Sequence, residues 1–249
     1  MSSVMGADPY LAMIDLNHLA RLYLRRHFSY VADRIDSVIE RCRLLSMRTQ
    51  ELKAKFLRAT NLKEFGENPS QTLSVLRDVY REAVREGNAI LAGSLASSLA
   101  QMYAKVGHKG LADCYATIGV RLARRVACPW VEAYAVSTWG ELLRDRGEYL
   151  DAVNAYRAGA QVYAKSSMHP FVAYTRVIIA ETLLIAGRED EAIGELLMAL
   201  PIIERESLTD EAEASVWLMR QAIKQRGMSP TMVREFREQI VLSRWEKSQ

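Results

Sequence analysis

The sequence has few of the residues that carry covalent or metal chemistry. Its 249 residues include only three cysteines and four histidines. Cys42, Cys114 and Cys128 show neither CxxC nor Cys/His ligand spacing, and an odd number of cysteines is not typical of a disulfide framework. We therefore expect small, buried thiols in a reducing compartment, with no bound metal ion.

Long apolar runs and an excess of one charge are also missing. No apolar run approaches the ~20 residues needed to span a bilayer, and the chain begins without the basic and apolar stretches of a signal peptide. The 33 basic and 30 acidic residues leave a net charge of only +3, so the chain as a whole is not drawn to nucleic acid or to an acidic membrane. These absences predict a cytoplasmic protein that works away from membranes.

Residue spacings typical of catalysis are absent as well. The histidines do not form the HExxH pattern of zinc proteases. The segment Gly107–Gly110, GHKG, is not a phosphate-binding loop because it lacks the GxxxxGK[ST] frame. Acidic residues occur as charges on helix faces, such as Glu189, Asp190 and Glu191 in a predicted first turn, where they favour the helix dipole. We therefore predict neither an enzyme nor a cofactor.

Proline and glycine are scarce, with six and thirteen residues, which argues against long loops. Five of the glycines nevertheless recur about every 40 residues, between segments whose apolar residues are spaced three and four apart. Such spacing is typical of amphipathic helices, and a period of this length is typical of stacked repeats. The five are Gly66, Gly107, Gly147, Gly187 and Gly227.

This period predicts an all-α chain of about six antiparallel helix pairs. We expect residues 1–8 to be a disordered lead-in and residues 9–249 to form a single solenoid domain. Asn68, Pro69 and Asn88 are expected at helix N-termini, since asparagine caps a first turn and proline is tolerated in it. The pairs are predicted near residues 10–46, 47–87, 88–128, 129–168, 169–208 and 209–249.

Small residues recur at one position of each first helix, where a short side chain lets a paired helix approach closely. An aromatic residue or a leucine follows one turn later, and the unit around Trp139-Gly140 has the most complete pattern. This arrangement resembles the tetratricopeptide repeat, in the longer-helix variety found in sensor domains of bacterial transcription and signalling regulators. The resemblance implies a right-handed α-solenoid but says little about function. The small residues are Ala20, Ala59, Ala100, Gly140 and Ala180.

The sixth unit departs from this pattern. Arg220 stands in place of the small residue of the first helix, and Met232 replaces the alanine that other second helices carry. Because the last repeat of a solenoid has no neighbour on one side, we predict that this unit is a terminal cap.

The resemblance also implies that ligands bind mainly to first helices, on the face opposite the small residue. Side chains spaced three and four apart share that face, and polar groups dominate its centre. Such a lining suits an extended peptide or a polar loop of a partner protein, although a solvated groove without a ligand is the alternative. The predicted partner-binding residues are Asn17, Arg21, Arg25, Phe56, Thr60, Lys63, Ser97, Gln101, Lys105, Tyr134, Ser137, Glu141, Arg144, Tyr174, Val177 and Glu181.

Two tyrosines of this set hold equivalent places in neighbouring units. Tyr134 and Tyr174 are separated by one full repeat, so we expect their rings to lie side by side along the groove, with hydroxyls available to a ligand. The alternative is that both rings belong to the core between units.

Three hypotheses about function follow. The first is a non-enzymatic protein- or peptide-binding scaffold, or a regulatory sensor module, in bacterial signalling or transcription. The second is nucleic-acid binding through the basic segment from Arg21 to Arg58, although interleaved acidic residues favour an ordinary solvated surface. The third is self-association as a homodimer through the end units, where Trp217 and Trp245 are candidates for exposed apolar surface.

Overall fold

The computed structural model describes residues 8–66, 68–205 and 210–246, and the side chains of all of these except 210, 211 and 242–246. Within these ranges every regular element is an α-helix, which confirms the predicted all-α class. The expected lead-in lies outside the described residues except for Asp8, so its disorder stays a prediction. The helices are α1 Pro9–Leu24, α2 Phe28–Leu44, α3 Arg48–Phe65, α4 Pro69–Arg85, α5 Ala89–Lys105, α6 Lys109–Arg125, α7 Pro129–Asp145, α8 Tyr149–Lys165, α9 His169–Ile185, α10 Glu189–Ile203, α11 Asp210–Gln225 and α12 Pro230–Glu246.

Several helices begin where the sequence predicts. The Asn68 side chain accepts hydrogen bonds from the backbone N–H groups of Ser70 and Gln71, and the Asn88 side chain accepts one from that of Leu91. These bonds satisfy N–H groups that a first turn leaves without a partner. Prolines stand in the first turns of α1, α4, α7 and α9, where their missing N–H costs nothing.

Short turns with a left-handed residue end most of the helices. Gly107, Gly147 and Gly187, all expected between helices, have φ of 85°, 81° and 72°, a conformation that glycine adopts without steric cost. Gly66 differs, because its φ of −72° is ordinary for any residue. At the last turn the left-handed residue is Arg226, with φ of 50°, rather than Gly227.

The helices divide into two compact units, residues 1–122 and 123–249. In the first unit α2 packs on α1 and α3, and α4 packs on α3 and α5. In the second unit α8 packs on α7 and α9, α9 also packs on α10 and α12, and α12 packs on α11. The expectation of a single domain from residue 9 to residue 249 stays a prediction.

The predicted small residues lie inside this packing. Ala59, Ala100 and Ala180 are fully buried. A Cβ atom added to Gly140 would lie 2.8 Å from Cε1 of Tyr156 on α8, closer than two such carbon atoms can approach. In α11 the same position is held by the half-exposed Arg220, which donates two hydrogen bonds to Glu204, at 2.7 and 2.8 Å. The residues that set the repeat register therefore act as helix contacts.

No helix in the described part of the chain is both long and apolar enough to cross a membrane.

Candidate binding surface

In the first unit, the predicted ligand residues at the two outer ends of the set are the most exposed. Asn17, Arg21 and Lys105 are exposed, while Arg25 and Phe56 are half-buried. Their positions on α1, α3 and α5 leave these side chains available at a surface.

Two predicted residues from successive first helices meet directly. Nζ of Lys63 on α3 lies 2.7 Å from Oε1 of Gln101 on α5 and 2.9 Å from Oε1 of Glu64. The Lys63 side chain is only 14% exposed, so the amide oxygen of Gln101 and the carboxylate of Glu64 compensate a charge that is largely removed from water. The faces of α3 and α5 that the repeat register predicts are therefore neighbours in the folded first unit.

Three other predicted residues are enclosed in helix packing. Ser97 is fully buried, and its hydroxyl donates to the carbonyl of Gly93, while Gly119 of α6 packs so closely on it that an added Cβ would lie 2.8 Å from Oγ. Thr60 is 7% exposed and donates to carbonyls of its own helix, and Val177 is 1% exposed. In this conformation none of the three presents a free group to a ligand.

In the second unit, the two equivalent tyrosines lie near a third. Tyr134 and Tyr174 are both half-buried, and both act electrostatically on the hydroxyl of Tyr163, whose pKa is raised to about 12, mainly by burial. The Tyr134 ring stacks on Trp130 with centroids 5.7 Å apart, and Tyr174 packs against the core of the unit. These rings combine core packing with partial exposure, so both predicted roles stay open.

Glu181 occupies the most highly charged part of the second unit. It is 1% exposed, and its Oε1 accepts a hydrogen bond from Nε of Arg234 at 2.9 Å while its Oε2 accepts one from Nη1 of Arg237 at 2.7 Å. Nη1 of Arg144 lies 3.9 Å from Oε2. A buried carboxylate is stable only when charges and hydrogen bonds compensate it, and here the compensation comes from α7 and α12.

The same region contains two buried groups that make no hydrogen bond within the described residues. These are Nη1 of Arg144 and the hydroxyl of Tyr156. Burial raises the pKa of the Tyr156 hydroxyl well above its usual value, and the positive charge of Arg144 opposes that shift. Arg144 follows Gly140 by one helical turn on α7, on the side where the Tyr156 ring packs.

The arginines of α12 were missed by the sequence prediction. Glu181 was expected in an open groove, but Arg234 and Arg237 from α12 contact it instead. One signal was present, because two arginines three residues apart on an amphipathic helix share a face and suit a buried acid. What the sequence did not give is which acid they meet.

The remaining predicted residues stand at half-buried positions. Ser137 and Glu141 lie on α7, and Ser137 faces Gly159 of α8, where an added Cβ would come within 3.1 Å of its hydroxyl. Ser137 therefore repeats, one unit later, the contact that Ser97 makes with Gly119.

The basic segment of the first unit is largely ion-paired. Arg58 donates to Asp36 at 2.8 Å, and Lys55 lies 2.7 Å from Glu51 and 2.9 Å from Glu82. Arg41, Arg43 and Arg48 also have acidic partners, namely Asp15, Glu40, and Glu51 with Glu86. Cations that are matched in this way attract phosphates weakly, so the segment offers no strong footprint for nucleic acid.

Among the described residues, no three His, Cys, Asp or Glu side chains are grouped so that they could hold a metal ion. Trp217 and Leu218 on α11 are 60% and 57% exposed, as expected for an apolar patch near the end of the chain. The side chain of Trp245 lies outside the described residues.

Comparisons with known proteins place the fold. No protein-family model matches the sequence, and no curated protein matches it. Among solved structures, the chain is similar to the apo form of RapI, at 14% identity and a TM-score of 0.65, over 99% of this chain and 88% of that one. It is also similar to a Rap protein complexed with competence and sporulation factor, at 16% identity and a TM-score of 0.59. That match covers 88% of this chain and 62% of the Rap chain.

The likeness extends over nearly the whole chain, and the helix pairs, the turns and the buried small residues agree with it. The chain therefore has the fold of the tetratricopeptide-repeat-like superfamily.

Proposed function

We propose that this chain is a non-enzymatic regulatory scaffold of bacterial signalling, which binds a protein or peptide on the exposed faces of its first helices. The observation that carries the proposal is the 2.7 Å contact between Lys63 and Gln101. Because side chains of successive first helices meet, a bound segment in the first unit can contact more than one repeat at once, which favours an extended ligand over a small molecule.

Two further observations support this proposal. Asn17, Arg21 and Lys105 are exposed polar groups on the same set of first helices, and such groups fix the orientation of a bound chain by hydrogen bonds. In addition, one of the similar structures is a Rap protein solved in complex with competence and sporulation factor. The segment that this chain would bind is a protein or peptide of the same cell.

The test is capture of a partner by the immobilised full chain from a lysate of its host, with identification by mass spectrometry. We expect Arg21→Glu, Gln101→Ala and Tyr134→Ala each to reduce recovery of the partner, by about tenfold for the charge reversal, since a few central side chains carry most of an interface's free energy.

Arg121→Glu is the matched control, because Arg121 is exposed but lies on α6, a second helix. It should capture the partner as well as the wild type does. Equal recovery by the wild type and by all three groove variants, with helicity unchanged, would refute the proposal.

A further inference from the structure

We propose that the α9 face around Glu181 is a docking site for a basic amphipathic helix, and that α12 occupies it as a competitor of a partner segment with the same chemistry. This inference rests on the proposed function, because it names the class of partner that the second unit receives.

The chemistry of the site is read from the helix that fills it. On α12, Arg234 and Arg237 donate to the two oxygens of Glu181, while Val233 and Phe236, each one position before them, are buried in the apolar core of the unit. The site thus recognises two cations three residues apart together with two apolar side chains. This is the pattern of an amphipathic helix laid on an apolar face.

The packing of α12 differs from that of other second helices. Within the units, α2 packs on α1 and α3, and α8 packs on α7 and α9, which are their neighbours along the chain. α12 packs on its neighbour α11 and also on α9, the first helix of the preceding pair. Its contact with Glu181 is therefore additional to the packing that the repeat itself supplies.

α12 is held by fewer buried groups than the helix that it covers. Among its described side chains only Val233 and Phe236 are buried, and the Arg234 side chain is 52% exposed. By contrast, ten residues of α9 are buried. Segments with few buried contacts open before the core does, so α12 can leave while α9 stays folded.

Charge determines what can replace α12. When Arg234 and Arg237 leave, Glu181 loses both of its hydrogen-bond donors, and only Arg144, at 3.9 Å, remains as a cation. An acidic or purely apolar segment would leave this carboxylate without compensation, which is strongly unfavourable. The partner segment therefore carries arginine or lysine at two positions three residues apart.

The probe for this proposal is a fluorescently labelled peptide with the sequence of residues 228–246, measured by anisotropy against the full-length chain. We expect the Arg234→Ala/Arg237→Ala chain to bind it on the order of tenfold more tightly than the wild type, because a weakened α12 leaves the site open more often. Adding Glu181→Gln to that chain should abolish the gain. A peptide with glutamate at both arginine positions is the matched control and should bind neither chain.

Two results would overturn the proposal. One is equal affinity of the wild type and the double variant for the peptide. The other is full retention of peptide binding when Glu181→Gln is added. A peptide-independent dimer of the double variant in light scattering would also contradict it, because the occupant would then be α12 of a second copy.

Hydrogen exchange on the unaltered chain gives a test that does not depend on the folding of any variant. Excess peptide should speed amide exchange in α12 and leave that of α9 slow, and unchanged protection of α12 at saturating peptide would refute competition. Since these experiments use only a synthetic peptide and the second unit, they can fail while partner capture still depends on Arg21 and Gln101.

Discussion

At Gly140 the ring of Tyr156 occupies the space where a side chain would begin. A Cβ atom there would lie 2.8 Å from Cε1 and 2.9 Å from Cδ1 of the ring. The ring cannot move freely, because Tyr156 is fully buried. The residue that matches the repeat pattern best is thus one whose lack of a side chain is required by a neighbour.

Gly140→Ala is therefore expected to destabilise the fold. Alanine gains about 1 kcal/mol of helix propensity over glycine, but displacing a packed ring typically costs about 1–3 kcal/mol, so the net loss should be about 1 kcal/mol. Urea unfolding followed by circular dichroism measures it. Gly194→Ala is the control, since nothing lies within 4 Å of a Cβ at Gly194 and only the helix gain remains. A more stable Gly140→Ala chain would show that the ring yields.

Glu181 shows what could be predicted for a single residue and what could not. Its place on the inner face of α9 follows from spacing within one helix. Its partners Arg234 and Arg237 are 53 and 56 residues further along the chain. A local period carries no information about contacts at that separation, so the burial of Glu181 could not be deduced. The alanine and glycine positions were predictable because each acts within its own repeat.

At the scale of helices and turns, the structural period is half of the sequence period. Helices α4 to α9 all have 17 residues, and each is joined to the next by three. The turns after α5, α7 and α9 contain left-handed glycines, whereas those after α2, α6 and α8 have Ser46, Ala127 and Ser167 at positive φ. Glycine spacing alone revealed every second turn, and residues that bear a Cβ concealed the others.

Ala127→Gly should stabilise the chain. With φ of 48°, Ala127 bears the steric cost of a left-handed residue, about 1–2 kcal/mol, of which the greater freedom of glycine in the unfolded chain cancels about 0.4–1 kcal/mol. The net gain of about 0.5–1 kcal/mol should raise the Tm by roughly 1–4 °C, measured by calorimetry.

The reverse change, Gly147→Ala, is the matched control for that turn. No atom lies within 4 Å of a Cβ at Gly147 and its φ is 81°, so its expected loss of about 1 kcal/mol reports backbone strain alone. A lower Tm for Ala127→Gly would contradict this account of the turns.

At the scale of the whole molecule, buried tyrosines couple stability to alkaline pH. Burial raises the pKa of Tyr163 to about 12 and that of Tyr156 still further, while an unfolded chain releases these protons near pH 10. Above that pH the folded state binds more protons than the unfolded state does. The free energy of unfolding must therefore fall as pH rises.

For Tyr163 the fall should be about 1.4 kcal/mol per pH unit between about pH 10 and about pH 12. The midpoint of urea unfolding, measured across this range, reports it, and absorbance of ionised tyrosine should rise together with unfolding. The Tyr163→Phe chain lacks this group and should lose stability less steeply. Identical slopes for the two chains would mean that the Tyr163 hydroxyl ionises in the folded protein.

The division into two compact units was not predicted. A repeat whose units are alike gives no sequence mark at the boundary, which falls inside α6 between Leu122 and Ala123. The helix count and most helix ends were predictable, because Asn68, Asn88 and the first-turn prolines act locally. Which helices pack most closely depends on side chains from different repeats and needed the structure.

The equal lengths of α4 to α9 have a consequence for how such a gene can change. Because each helix and its link together occupy 20 residues from Pro69 to Met168, an unequal crossover between the coding segments of two pairs would add or remove 40 residues without shifting a later helix out of phase. Every glycine, alanine and capping residue downstream would keep its place. The chain can therefore lengthen or shorten by recombination, while point mutation adjusts the faces that bind.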